Sequence, residues 1–219
     1  MNKALLTALL AATLSAKAAE MLPMPNRIAA STVPSAEVIA KRIAGLNSYI
    51  GGYPPQIAND QQRAQVYKDW TDLLRIGWKL EDAAPQAEFS LYVLADLYRQ
   101  GHNLDVDGAA QKAMDALDRC LAAYPDSVSC HWTASYLYLS IHPSVAPKGE
   151  ASLLRLRQLL KDQPSKEVER GLVFAYLSQQ KMDEALRQMD YYLTLVPGDE
   201  RMRGMRDAVV NKRFQIKQK

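Results

Sequence analysis

Prolines recur along this chain at a spacing that few folds can use. Pro85, Pro125, Pro164 and Pro197 are separated by 40, 39 and 33 residues. Each of the last three closes an apolar segment with helical patterning: Leu121 to Pro125, Leu159 to Pro164, and Tyr192 to Pro197. Proline lacks the amide hydrogen a helix needs and pushes the residue before it out of the helical region, so it marks where a helix stops. A period in the thirties, ending each time on such a stop, is the pattern of stacked helical units. Composition agrees. Alanine, leucine, glutamine, lysine and arginine are plentiful while valine, isoleucine and threonine are sparse, a balance that favours helix. With 48% hydrophobic and 23% charged residues the chain can build a core, which excludes wholesale disorder. A formal net charge of +3 is too small for generic nucleic-acid binding, and no nucleic-acid partner is expected.

Within the intervals the apolar residues divide into pairs of amphipathic segments. In the unit 166–197, Glu167 to Gln179 and Met182 to Leu195 flank a tight Gln180-Lys181 turn. Counting back from Pro197, Leu172, Tyr176, Ala185, Met189 and Tyr192 take the structural positions of a 34-residue unit. In 86–125 the matching residues are Leu94, Ala95 and Tyr98, then Ala113, Leu117 and Cys120, with surplus length at Gly101 to Gly108. In 128–164 they are Tyr138 and Ala151, with the surplus at His142 to Pro147. Both insertions land between helices, where added loop length costs little. The arrangement resembles the tetratricopeptide repeat (TPR), with a leucine and a tyrosine in the first helix and a small and a bulky residue in the second. Glu169 stands where that pattern usually has tryptophan, and Tyr192 where it has alanine. Leu97-Tyr98-Arg99-Gln100-Gly101, followed by its longer turn, is similar to the Sel1-like variant.

The resemblance implies an all-α fold: a right-handed stack of antiparallel helix pairs, a TPR-like α-solenoid closed by a C-terminal capping helix. It implies that a protein or peptide partner lies on the concave face, which the first helix of each pair lines. On the family's register that face carries Phe89, Tyr92, Asp96 and Arg99, then Trp132 and Tyr136, then Arg170, Phe174 and Ser178. Rigid aromatic area with a few orienting charges suits peptide binding. The plainer reading is that some of these aromatics pack between helices.

Upstream, Ser35 to Asn47 and Asp60 to Asp82 read as a further helix pair over 35–82, a decayed repeat or a cap, broken by Gly51 to Pro55. In its second helix Val66, Trp70, Leu73, Gly77 and Leu80 form a stripe flanked by Tyr67, Leu74 and Trp78, broad enough to pack on two sides. Residues 19–34 read as extended and flexible. The segment 198–219 reads as a capping helix with a basic tail, seven Lys and Arg against three acidic residues, able to touch an anionic surface weakly.

The first residues read as a targeting segment. Met1-Asn2-Lys3 is a positive start, Ala4 to Leu14 an apolar run too short to span a bilayer, and Ala16-Lys17-Ala18 a small-residue cleavage site. A signal peptide over 1–18 makes the protein exported, with the periplasm the expected destination and no transmembrane segment. In an oxidising compartment Cys120 and Cys130 become candidates for a disulfide, the alternative being two buried thiols. Tyr124-Pro125-Asp126-Ser127 between them reads as a turn that brings the two together.

No catalytic constellation emerges: there is no His-Glu-x-x-His, no Gly-x-Ser-x-Gly and no phosphate loop. Cys120, Cys130, His131 and His142 offer zinc-binding atoms, but a disulfide would consume two of them. Asn103 to Gly108 matches the start of a calcium loop and fails at its twelfth position, where Met114 replaces the bidentate glutamate. No metal or cofactor is expected. The leading reading is a non-enzymatic, exported adaptor or scaffold that holds a peptide or partner protein in an envelope assembly. The alternatives are a metal-dependent enzyme or accessory protein centred on residues 102–142, and a structural spacer without a groove.

Overall fold

The structure, a computed structural model, describes residues 21–211. The signal peptide read at 1–18 and the basic tail from 212 onward lie outside the described residues. Nine α-helices are found among the described residues: α1 (Ala36–Ile50), α2 (Asp60–Ala83), α3 (Glu88–Asn103), α4 (Ala109–Ala123), α5 (Val128–Ile141), α6 (Ala146–Leu159), α7 (Lys166–Ser178), α8 (Met182–Leu195) and α9 (Glu200–Val210). They pack in sequence as antiparallel pairs, chiefly α3 with α4, α5 with α6 and α7 with α8, while α9 lies on α8.

The prolines act as the sequence implies. Ala84, Tyr124 and Val196, each directly before a proline, leave the helix in nearly the same conformation, with φ of −150°, −133° and −131° and ψ of 76°, 74° and 71°. Helix α3 starts after Ala87 without a side-chain cap, but α5, α7 and α9 each start on one. Ser127 Oγ accepts from the Cys130 amide at 3.2 Å, Ser165 Oγ from Val168 at 3.4 Å, and Asp199 Oδ1 from Met202 at 3.0 Å. A stop followed by a cap within a few residues is a complete helix–turn–helix instruction.

The largest core cluster spans α1 to α5 and centres on Trp70, which is fully buried and donates its indole N–H to the Leu97 carbonyl at 2.6 Å. Gly101 faces that ring so closely that an added Cβ would meet Trp70 Cζ2 at 2.6 Å, so α2 and α3 approach only because position 101 has no side chain. Helix α2 touches α1 on one side and α3 on the other, which accounts for its broad apolar band.

Residues 21–34 correct one expectation. They are extended, but they are strapped down rather than flexible. Leu22 pairs with the α3–α4 loop through Leu22 N–H to Asp105 O and Asp107 N–H to Leu22 O, both 2.9 Å. Tyr67 donates to Pro23 O at 2.7 Å, and Ala30 N–H reaches Arg75 O at 2.9 Å. Arg27 binds Glu81 and Asp82 and lies over Trp78, 6.0 Å from the ring centre. The α3–α4 insertion leaves backbone groups that need partners, and a distant extended segment supplies them. Periodicity within the segment cannot show this.

Cys120 near the end of α4 and Cys130 in the first turn of α5 are bonded, with Cα atoms 6.5 Å apart. The bridge ties two consecutive helix pairs together. Replacing both cysteines by alanine should lower stability by about 2–3 kcal/mol, the chain-entropy value for so short a loop. Urea denaturation of the double variant checks this. Helical circular dichroism should be unchanged, since both helices keep their caps.

Candidate partner-binding groove

The nine predicted groove residues separate into two groups. On α3, Phe89 and Tyr92 are half-buried with their rings 6.5 Å apart, but Asp96 and Arg99 are buried, at 5% and 3% exposure. These two cannot orient a ligand, because their bonding is internal. Arg99 Nε donates to Asp96 Oδ1 at 2.7 Å, and its two amino groups donate to Gly51 O at 2.7 Å and Asn47 Oδ1 at 3.0 Å. Gln100 donates to Ile43 O at 3.1 Å, and Asn103 Nδ2 to Ile50 O at 3.0 Å. Helix α1 therefore lies across the face of α3. The last carbonyls of a helix lack intrahelical donors and carry the negative end of its dipole, so the Arg99 guanidinium at Gly51 O and the Asn103 amide at Ile50 O are well matched to them. Reading α1 and α2 as a separate pair hid this contact.

Farther along the stack the face is open. Tyr136 on α5 is 53% exposed and Phe174 on α7 is 38% exposed. Trp132 is half-buried and stacks on Tyr136 with ring centres 5.9 Å apart. Arg170 is exposed and lies over Phe174 at 5.7 Å. Ser178 is half-buried and turns its hydroxyl back to Ala175 O at 2.9 Å, so it offers no donor to the groove.

Between α5, α7 and the α1–α2 loop lies a cavity of about 410 Å³. Trp132, Tyr136 and Leu139 form one wall, and Phe174, Gly171 and Glu167 another. Leu153 lies at its base, and Gly51, Gly52, Tyr53 and Asn103 close the end next to α1. Gly171 matters here because a Cβ would meet Leu153 Cδ2 at 2.8 Å, so a side chain would push α7 off α6. Sequence reasoning named Trp132, Tyr136 and Phe174 of this set and missed the others. Extending the stripes by one helical turn, to Leu139 on α5 and back to Glu167 on α7, would have found two of them. Tyr53 and Asn103 had no signal, since they reach the cavity only through the docking of α1.

The polar groups of the cavity are few. The Ser165 hydroxyl donates to Glu167 at 2.9 Å and holds its carboxyl below the ordinary range. Burial pushes the Tyr136 hydroxyl up, against the opposing charge of Arg99, whose guanidinium carbon is 5.8 Å from the ring centre. Ser135 and Ser140 turn their hydroxyls back to Trp132 O and Leu137 O, at 2.8 and 2.9 Å. Asn103 Oδ1 is buried and has no hydrogen-bond partner. Among the described residues no group of three or more His, Cys, Asp and Glu is placed to hold a metal. His131 Nε2 contacts Pro125 O at 2.9 Å, and the Asn103–Gly108 loop spends backbone groups on Leu22. In α9, Arg206 pairs with Asp190 and Arg203 with Glu200, so part of the basic charge expected to face an anionic surface is used internally.

One solved structure aligns over most of this architecture: the crystal structure of TTC0263, described as a thermophilic TPR protein of Thermus thermophilus, with a TM-score of 0.51 at 22% identity, covering 69% of this chain and 77% of that one. The fold is TPR-like. At that identity the likeness speaks to the fold alone. No family model and no curated protein matches the sequence. The TPR-like stack gives the cavity its position, on the face lined by α5 and α7.

Proposed function

We propose that this protein is an exported, non-catalytic scaffold that holds a peptide or a segment of a partner protein in the groove between α5, α7 and the α1–α2 loop, as an adaptor in an envelope assembly. The observation that carries the reading is the open aromatic cluster of Trp132, Tyr136 and Phe174 around an apolar cavity. Exposed aromatic surface costs a free protein solubility, and a contiguous patch of it marks an interaction site. The lining is mostly aromatic and aliphatic, with Glu167, Asn103 and hydroxyls that are largely committed to backbone carbonyls, a set that suits recognition rather than bond making. Export is supported by the leader pattern at 1–18 and by the Cys120–Cys130 bridge, since disulfides persist in oxidising compartments.

Binding energy at such surfaces concentrates in a few large anchors. Tyr136→Ala and Phe174→Ala should each weaken partner capture by about tenfold or more while leaving the thermal melt nearly unchanged. Pull-down from the native envelope, run beside a melting curve, checks both. Equal losses of binding and stability would show these to be packing residues and would sink the reading.

A further inference from the structure

Two of the groove's polar features, a carboxylate and an orphaned amide oxygen, call for a donor. Among the described residues its one charged lining residue is acidic: Glu167, exposed at the rim in the first turn of α7, with Lys166 only loosely paired to it at 4.0 Å in solvent. Its one orphaned buried polar atom is an acceptor. Asn103 is 2% exposed and its Nδ2 is committed to Ile50 O, so turning the amide over would set two oxygens against each other. Oδ1 therefore remains as an acceptor awaiting a donor. A buried acceptor left unpaired costs free energy, which an occupant bringing an N–H recovers. The walls include the rings of Trp132, Tyr136 and Phe174, and aromatic π-systems attract cations. Arg99 beneath Tyr136 does not cancel this, being buried and paired with Asp96 at 2.7 Å. Arg170 is not among the lining residues, but its guanidinium lies over the Phe174 ring at 5.7 Å, so the cation sites left to an occupant are those of Trp132 and Tyr136.

Resting on the groove reading above, we propose that the occupant is a partner segment carrying a lysine or arginine next to bulky apolar residues. The apolar side chains fill the base against Leu139 and Leu153. The cationic group lies along the Trp132 and Tyr136 faces towards Glu167, and an N–H of the segment reaches Asn103 Oδ1. A negatively charged segment meets the carboxylate of Glu167, so the groove disfavours it, while Asn103 Oδ1 takes an N–H from a segment of either charge.

The test is selection from a display library of short random peptides against the full chain as its host exports and processes it, with Tyr136→Ala and Glu167→Lys selected in parallel. Glu167 is exposed, so both of its variants should melt close to the parent. The expected result is enrichment of Lys or Arg beside apolar residues, lost in Tyr136→Ala and shifted towards Asp or Glu in Glu167→Lys. A synthetic enriched peptide should then bind about tenfold more weakly when its arginine becomes citrulline, and similarly to Glu167→Gln. Peptides that depend on Tyr136 but show no basic preference, or that ignore Glu167→Lys, overturn the charge assignment and leave the groove standing. Selection that yields nothing dependent on Tyr136 overturns the groove itself.

Discussion

Arg99→Ala should cost the protein about 3–5 kcal/mol, the range for breaking a buried charge pair by removing one partner. Asp96, at 5% exposure, would lose its cation, and Gly51 O and Asn47 Oδ1 would lose their donors. The loss should be local before it is global. Amide hydrogen exchange should rise first in the last turn of α1, where Arg99 and its neighbours satisfy the carbonyls, while α7 to α9 keep their protection. Lysine should not rescue the variant, because a single ammonium cannot reproduce the flat guanidinium fork that serves three oxygens in different directions. A denaturation midpoint near the parent's would instead mean that α1 is not held by Arg99. It would also return the residue to the list of groove candidates.

Trp70→Ala should be comparably severe, about 3–5 kcal/mol, since it empties a fully buried site of its largest side chain. The ring fills the space between α2 and α3, against Gly101, and its N–H reaches Leu97 O at 2.6 Å. Collapse into the cavity is restricted because α2 is also held by α1. Trp70→Phe should recover much of the loss by keeping ring volume, with the remainder reporting the missing indole hydrogen bond. Equilibrium urea unfolding of the two variants separates the volume term from the hydrogen-bond term. The two predictions address different joints: Arg99 holds α1 on α3, and Trp70 holds α2 on α3.

These joints also show where reading the chain succeeds and where it stops. Pro85, Pro125 and Pro197 end their helices through the residue directly before them, and Ser127, Ser165 and Asp199 start α5, α7 and α9 through amides three residues on. Such interactions act between near neighbours in the chain, so helix order and boundaries can be read from local residue types. The Cys120–Cys130 bridge belongs to the same class, since a ten-residue separation across a single turn leaves little freedom in how the two meet. Trp132, Tyr136 and Phe174 were placed by the register that the TPR resemblance implies for the first helix of each pair.

Arg99 was not legible in this way. An arginine on the inward stripe of α3 has one appearance in the sequence, whether it faces a ligand or caps another helix. Which it does depends on α1, whose contacting oxygens lie about fifty residues earlier and arrive only after α2 has packed. The same holds for Asn103 and Tyr53, brought to the cavity by that docking, and for Leu22, whose partner is the loop at Asp105 and Asp107. The chain alone determined the helices and their pairing, because those follow from contacts a few residues apart. Tertiary structure decided how far along the concave face the groove stays open, because that depends on which distant segment reaches the unsatisfied backbone groups first and buries them.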